Sequence, residues 1–196
     1  MRELIFATNN QHKVREVQSM LDESWKLKTL KDAGIETDIP EPYDTLEQNA
    51  MAKSRFIYGL NYENCFSEDT GLEVTALDNA PGVYSARYAG VHGNDKANIE
   101  KLLRELSGRN DRQARFRTVI SLILDGKEYQ FEGICDGKIA EAAKGENGFG
   151  YDPVFIPDGA DQTFAEMDVT EKNKFSHRKK AVSQLLDFLR RYHGKN

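Results

Sequence analysis

The stretch "ARFRTVISLILDGKEYQFEGIC", residues 114–135, decides what kind of sheet this chain can form. Apolar and polar side chains alternate along residues 114–124, which is the pattern of a half-buried β-strand. Asp125-Gly126 follows at once, and this dipeptide between two such segments is a strong signal for a tight hairpin turn. The stretch therefore predicts a pair of antiparallel strands.

Outward from this hairpin, the chain alternates between strand and helix patterns. The other predicted elements are a strand at 3–7, a helix from about Asn10 to Leu21, a strand at 27–30, a helix that Thr45 opens, a strand–turn–strand over 65–77 with its turn at Gly71, a helix between Asn94 and Gly108, and a last helix that Ser176 caps. Strands and helices alternate first, and antiparallel pairing comes later. We therefore predict an α/β fold with a mixed central sheet flanked by helices, in a single domain over residues 1–196.

Composition narrows the function classes. The chain has 196 residues, a net charge of −5 and 39% hydrophobic residues. The negative charge argues against nonspecific binding to nucleic acid or acidic membranes. Cys65 and Cys135 lie far apart and suggest neither a disulfide framework nor a zinc site. No apolar run approaches the length that spans a membrane. We expect a soluble protein of the reducing cytoplasm.

The segment "IFATNNQHKV", residues 5–14, leaves a strand and enters a helix through small hydrogen-bonding side chains. One interpretation is a capped turn, since Thr and Asn are common helix-capping residues. The other is a phosphate site, in which backbone amides, Thr8, Asn10 and Lys13 point at one anion. The segment contains neither a P-loop nor a dinucleotide-binding glycine pattern. Taken alone, it favours the capped turn.

Two further stretches place carboxylates where a core does not need them. Glu68 and Asp69 follow an apolar strand in "SEDTGLEV", and adjacent strand residues point to opposite faces, which predicts different roles for them. Their position at the end of a strand is typical of ligand sites in α/β sheets, although a solvated turn explains it equally well. Glu41 lies in an acidic loop before Lys53. Carboxylates from separate segments are what Mg²⁺ accepts, but each of these charges alone is more often an ordinary surface group.

The last candidate region combines "GFGYDP" with "EKNKFSHRKK", residues 148–153 and 171–180. The glycines around Phe149 let the backbone approach a flat ligand on which the ring stacks. Lys172, His177 and Arg178 lie near the start of the last helix, where the helix dipole disfavours cations. A ligand that compensates for this placement is one explanation, and a surface basic run is the other.

Six motifs together identify a family. "TNNQHK", "EPYDTLEQNAMAK", "SEDTGL", "PGVYSARYAG", "GFGYDPVF" and "SHRKKA" occur in one order along the chain. In this order and spacing, the chain closely resembles the Ham1-like inosine/xanthosine triphosphate pyrophosphatases from residue 4 to about residue 190. The resemblance implies two lobes with the active-site cleft between them. It also implies Mg²⁺-dependent hydrolysis of dITP, ITP and XTP to the monophosphate and pyrophosphate, by a homodimer for which Tyr84 and Tyr88 are candidate contacts.

The resemblance also implies roles for individual residues. The triphosphate would bind the loop formed by Thr8, Asn9, Asn10, Gln11, His12 and Lys13. Glu41 and Asp69 would hold Mg²⁺, with Asp69 activating the attacking water and Glu68 assisting, while Lys53 and Thr70 lie along the phosphates. The base and sugar pocket would consist of Phe149, Gly150, Tyr151, Asp152, Lys172, His177 and Arg178. Gln48, where Glu is frequent, and "EDTGL" in place of "DDSGL" are mild departures from the family pattern.

Two alternatives remain open from the sequence. One is a Maf-like pyrophosphatase that acts on other modified nucleotides, against which Phe149 and the "SHR" motif argue. The other is a non-catalytic nucleotide-binding module, against which the carboxylates argue, because triphosphate binding alone seldom needs a water-activating group. Arg and His donors would favour a 6-oxopurine over adenine, because adenine would leave them unpaired. How guanine is excluded does not follow from the sequence.

Overall fold

The computed structural model describes residues 2–21, 23–37, 39–61 and 64–192, arranged as a mixed sheet with helices. The strands are β1 (Arg2–Phe6), β2 (Trp25–Thr29), β3 (Cys65–Val74), β4 (Pro81–Gly82), β5 (Gln113–Leu124), β6 (Lys127–Ile139) and β7 (Phe155–Pro157). The α-helices are α1 (Gln11–Gln18), α2 (Leu46–Asn61), α3 (Asp95–Glu105), α4 (Val169–Phe175) and α5 (His177–Arg191). Short 3₁₀ turns cover Thr75–Leu77 and Ser85–Arg87.

The sheet has seven strands in the order β2-β1-β3-β5-β6-β7, with β4 paired to β3. Strand β1 is parallel to β2 and to β3, whereas β4 is antiparallel to β3 and β7 is antiparallel to β6. Between β5 and β6, Asp125 and Gly126 both have positive φ (49° and 75°), which is the geometry of a type I′ hairpin turn. The predicted mixed α/β fold and its hairpin are therefore confirmed.

The chain divides into two compact units. The first contains Met1–Asp69, Thr118–Gly133 and Arg178–Asn196, and the second contains Thr70–Arg117 and Ile134–His177. The prediction of a single domain stays a prediction.

The core of the first unit lies where α1 and α5 pack on the sheet. Phe6 of β1 and Phe66 of β3 are fully buried, and their rings stack with centroids 4.3 Å apart. Five apolar residues of α5 recur at helical spacing, which predicts one core-facing side, and all are buried: Ala181, Val182, Leu185, Leu186 and Leu189. A smaller cluster includes Ile57 of α2. Burial of these side chains holds β1 and α2 in place, and the candidate site residues of this unit extend from them.

The core of the second unit is built on aromatic rings. Phe116, Phe155 and Phe164 contact one another, with centroids 4.7–6.1 Å apart. Leu102 of α3 belongs to the same buried cluster. This core fixes α3 and the residues around β7, from which the candidate base-binding residues extend.

The predicted turn at Gly71 is wrong, because β3 continues without interruption from Cys65 to Val74. A Cβ atom at Gly71 would lie 2.6 Å from the carbonyl oxygen of Gly82 in β4. The glycine therefore permits close pairing of two strands and does not reverse the chain. Consequently Glu68 and Asp69 lie in the middle of a buried strand and not at its end.

Three smaller predictions also need correction. Helix α1 ends at Gln18 and does not reach Leu21. In α2, the spacing of Leu60 from Leu46, Ala50 and Ile57 predicts that all four share a buried face, but Leu60 has 53% of its surface exposed. Helix α4 was not predicted, and Ser176 follows its last residue directly before α5. No helix in the described part of the chain has the length and apolar character needed to cross a membrane.

Candidate active site

The loop after β1 is a capped helix start in this structure. The Asn10 Oδ1 atom accepts hydrogen bonds from the amides of His12 (2.9 Å) and Lys13 (3.3 Å), and Thr8 Oγ1 accepts one from the amide of Asn10 (3.2 Å). The side chains of Asn9, Gln11 and His12 are exposed. The capped-turn interpretation is thus confirmed, and the role of this loop in phosphate binding stays a prediction.

Glu68 forms a buried ionic cluster, the Glu68 cluster, with Lys13, Arg178 and Glu16. The Lys13 Nζ atom lies 3.0 Å from Glu68 Oε1. Arg178 Nε donates to both Glu68 oxygens (2.9 and 3.1 Å), and Arg178 Nη1 donates to Glu16 Oε2 at 2.8 Å. Glu68 and Arg178 are only 1% and 3% exposed. These contacts orient the guanidinium and place two cations on one buried carboxylate.

Electrostatics keeps Glu68 ionised despite its burial. Loss of water alone would raise its pKa, but the charges of Arg178 and Lys13 outweigh that effect and lower the pKa to about 2. Burial would likewise lower the pKa of Arg178, and the carboxylates of Glu68 and Glu16 instead raise it. Glu68 therefore serves here as a permanent negative charge.

A second buried cluster, the Lys53 cluster, joins Glu41, Lys53 and Asp69. The Lys53 Nζ atom forms a short ion pair with Glu41 and lies 3.2 Å from Asp69 Oδ1. Lys53 and Asp69 are 7% and 8% exposed. The other Asp69 oxygen, Oδ2, is buried and has no hydrogen-bond partner among the described residues. Two carboxylates thus share a single ammonium group.

The Lys53 cluster contains two carboxylates and one ammonium group, and the pKa values of both Lys53 and Asp69 are raised. Burial alone would lower the pKa of Lys53, but Asp69 and Glu41 outweigh it and raise the pKa. Burial, with the added charge of Glu41, raises the pKa of Asp69 although Lys53 acts against it. A carboxylate with a raised pKa is stabilised when a proton or a cation binds to it.

Asn49 positions the loop that carries Glu41. The sequence analysis did not identify Asn49 as a functional residue. This fully buried residue of α2 accepts a hydrogen bond from the amide of Tyr43 (3.0 Å) and donates one to the Tyr43 carbonyl (2.9 Å). One helix therefore holds both Lys53 and the loop opposite it. The signal available in the sequence was a polar side chain at helical spacing from Leu46, which is buried in the same helix.

In the second unit, Phe149 and Lys172, two of the predicted base-pocket residues, contact Asp152, whereas the predicted Arg178 belongs to the first unit. The Asp152 Oδ2 atom accepts hydrogen bonds from the amide of Phe149 (3.0 Å) and from Lys172 Nζ (2.7 Å). The Lys172 ammonium lies 5.5 Å from the centroid of the Phe149 ring. Buried Tyr151 donates its hydroxyl hydrogen to the carbonyl of Ser85 at 2.9 Å. The Phe149 ring is only half-buried and can stack on a ligand.

The remaining predicted residues have separate surroundings. Lys172 lies on α4 and not at the entrance to α5 as expected. His177 belongs to the second unit, where its ring stacks on Phe116 with centroids 4.6 Å apart. Thr70 is a partly exposed residue of β3. Gly150 has φ of +61°, and its amide donates to Asp95, a residue that sequence reasoning did not single out.

Comparisons with known proteins show the family to which this chain belongs. The model of the Ham1 family matches residues 4–188, and the chain belongs to that family. It is 52% identical to a dITP/XTP pyrophosphatase of Porphyromonas gingivalis, over 96% of this chain and 98% of the relative. It is 50% identical to a protein of the same name from Christiangramia forsetii, over 95% and 98% of the two chains. The structure of a HAM1 protein from Coxiella burnetii superposes with a TM-score of 0.91 at 36% identity, over 98% of this chain and 100% of that one.

Proposed function

We propose that this protein hydrolyses noncanonical purine nucleoside triphosphates, such as dITP, ITP and XTP, to the nucleoside monophosphate and pyrophosphate. The reaction removes these nucleotides from the precursor pool. Membership of the Ham1 family and relatives named dITP/XTP pyrophosphatase support this assignment. The observation that carries it is the Lys53 cluster, where one oxygen of the buried Asp69 carboxylate has no hydrogen-bond partner among the described residues and lies beside a second carboxylate and a cation.

The loop from Thr8 to Lys13 binds the triphosphate in this proposal. It lies at the start of α1, where backbone amides favour an anion. Asn10 occupies two of these amides in the structure, so a phosphate oxygen would replace its side-chain oxygen. Lys13 supplies a positive charge, and Lys53 and Thr70 lie along the phosphates. Phosphoryl transfer depends mainly on such positioning and charge neutralisation.

Glu41 and Asp69 are the proposed Mg²⁺ ligands. The Asp69 oxygen that lacks a partner in the described part of the chain, together with the net negative charge of the Lys53 cluster, fits a divalent cation. Within the described residues, no three His, Cys, Asp or Glu side chains are grouped to hold a metal. Two carboxylates are sufficient, because Mg²⁺ commonly takes its other ligands from water and substrate phosphates. When bound, Mg²⁺ supplies charge stabilisation for the phosphates that react.

Asp69 orients and deprotonates the water that attacks the α-phosphorus. Its raised pKa suits a carboxylate that accepts a proton during the reaction. Glu68 assists indirectly, since its permanent charge positions Lys13 and Arg178. The bond between the α-phosphorus and the bridging oxygen breaks, and pyrophosphate leaves.

The base and sugar bind the residues around Phe149. Its ring stacks on the purine, Gly150 lets the backbone approach closely, and Tyr151, Asp152 and Lys172 form the surrounding wall. His177 and Arg178 donate hydrogen bonds to the 6-oxo group, which adenine lacks. A planar guanidinium selects between bases only when it is held in one orientation, and Glu68 and Glu16 do this for Arg178.

We further propose that the protein is a homodimer of the cytoplasm. Tyr84 and Val91, which are 50% and 67% exposed, are candidate contacts in the loop after β4. Tyr88 is a weaker candidate, because its hydroxyl hydrogen-bonds Glu105 within the chain. Light scattering at micromolar concentration should give twice the chain mass, and the mass of one chain would contradict the dimer.

A substrate panel tests the proposed activity. Pyrophosphate release should be measured with Mg²⁺ and dITP, XTP, dATP, dGTP or dCTP, together with a modified pyrimidine triphosphate. We expect dITP or XTP to have the highest kcat/KM. A preference for the modified pyrimidine would favour the Maf-like alternative. Binding of dITP without any pyrophosphate release would favour the non-catalytic module.

A further inference from the structure

We propose that Asp95, at the start of α3, is a positioning residue for the purine base. The inference rests on the proposed function, because it assigns the support of the Phe149 ring within that base pocket. The key contact joins Asp95 Oδ2 to the amide nitrogen of Gly150 at 2.7 Å, across 55 positions of sequence.

Two hydrogen bonds hold the peptide group between Phe149 and Gly150, one at each end, and the contact with Asp95 is one of them. The Gly150 amide and the Phe149 carbonyl belong to the same planar peptide. The amide donates to Asp95, while the carbonyl accepts a hydrogen bond from the amide of Asp152 at 3.3 Å. With both ends held, the peptide cannot rotate, and the direction in which the Phe149 ring leaves the backbone is set.

The peptide needs this restraint because of its neighbours. Residues 141–148, which precede it, are all exposed, and the backbone amides of Lys144 and Asn147 attach them to Pro153 and Ala165 further along the chain. Gly148 and Gly150 have φ of +79° and +61° and lack side chains that would restrict the backbone. Phe149 itself is only partly buried. Asp95 joins this part of the loop directly to helix α3, in addition to the link that Asp152 makes between the Phe149 amide and Lys172 of α4.

Helix α3 is a firm support for Asp95. Asn94 caps the helix by accepting a hydrogen bond from the amide of Ala97 (3.1 Å), so the Asp95 carboxylate is not needed for that bond. Asn98, which is 2% exposed, accepts a hydrogen bond from the amide of Ala89 at 2.7 Å. Leu102 is fully buried in the core of the second unit.

A comparison of the variants Asp95→Ala and Asp95→Asn distinguishes positioning of the Gly150 amide by a hydrogen bond from a general effect of the negative charge. Both variants remove a negative charge that favours the start of a helix. Only Asn keeps an oxygen that can accept the Gly150 amide. In calorimetry, we expect the dissociation constant of IMP to rise about tenfold in Asp95→Ala, which is about 1.4 kcal/mol, and less than threefold in Asp95→Asn. Glu100→Ala, on the exposed surface of the same helix, is the matched control and should bind IMP as the wild type does.

A second ligand makes the test specific for the base. Imidodiphosphate has no base, so its dissociation constant should be equal in the wild type and all three variants. Equal weakening of IMP binding in Asp95→Ala and Asp95→Asn would show that only charge matters and overturn the proposal. Wild-type IMP affinity in Asp95→Ala, or a wild type that binds no IMP, would also overturn it. Absence of pyrophosphate release from dITP by the wild type would instead contradict the proposed function, and selective loss of IMP affinity would still support Asp95.

Discussion

Replacing Arg178 by Met should destabilise the protein strongly, because the buried Glu68 carboxylate would lose the guanidinium that donates to both of its oxygens. Arg178 donates three hydrogen bonds to the carboxylates of Glu68 and Glu16, and Glu68 is 1% exposed. Met fills much of the same volume but provides no donor. Glu68 would keep Lys13, 3.0 Å away, as its remaining ion-pair partner in the Glu68 cluster. Breaking a buried ion pair from one side costs about 3–5 kcal/mol, and we expect a loss in this range.

Urea unfolding of the apoprotein measures this loss. Arg190→Met is the matched control, since Arg190 pairs with Asp187 at the surface and both side chains are more than half exposed. Its cost should stay within about 1 kcal/mol. The double variant Arg178→Met/Glu68→Gln should recover more than half of the unfolding free energy that Arg178→Met loses. The reason is that a neutral amide then replaces the buried Glu68 carboxylate that had lost Arg178. If Arg178→Met costs no more than Arg190→Met, the Glu68 cluster does not stabilise the fold, and the reasoning is refuted.

Three further predictions follow from the carboxylates of the two clusters. Asp69→Asn should lower turnover of dITP by about 10²–10⁴-fold, the usual contribution of a general base, while affinity for a nonhydrolysable dITP analogue changes less than tenfold; near-normal turnover would remove Asp69 from the mechanism. The folded pKa of Glu68 (about 2) lies below its ordinary value of 4.5, so its ionised form stabilises the protein fully above pH 4.5 and progressively less as the pH falls to 2. Between pH 5 and 2, the wild type should therefore lose about 3 kcal/mol more unfolding free energy than Glu68→Gln, and parallel profiles would contradict the assignment. Lys53→Met leaves Glu41 and Asp69 without their shared ammonium, so Mg²⁺ should raise its melting temperature more than that of the wild type; an equal rise in both would count against a cation site at these carboxylates.

Local signals made much of the fold predictable from sequence. Asp125-Gly126 predicts its turn because the required positive φ values depend on those two residues alone. Asn10 predicts the start of α1 for the same reason, since its side chain bonds amides two and three residues away. The turn predicted at Gly71 is wrong because the role of this glycine depends on Gly82, which pairing of the two strands brings close. A glycine between polar residues gives the same sequence signal for a turn as for a close strand contact.

The candidate site was predictable where chemistry limits the choice of residue. Asp69 stood out because it follows an apolar strand, whereas Lys53 alone resembled an ordinary surface charge and was indicated by the family resemblance. The structure brings the two together. Glu16 and Asp95 were missed because each looks like an ordinary helix-surface acid until its partner is known. Their partners, Arg178 and Gly150, lie 162 and 55 positions away in the sequence. Only the folded chain shows these pairs.

Product analysis in a mixed reaction tests the central claim most directly. Equal amounts of dITP and dATP should be incubated with the protein and Mg²⁺ and followed by ³¹P NMR, which distinguishes monophosphate, pyrophosphate, diphosphate and orthophosphate. We expect dIMP and pyrophosphate to accumulate in equal amounts while dATP stays largely intact. Formation of dIDP with orthophosphate would contradict cleavage between the α- and β-phosphates, and consumption of both nucleotides at the same rate would contradict selection for a noncanonical purine.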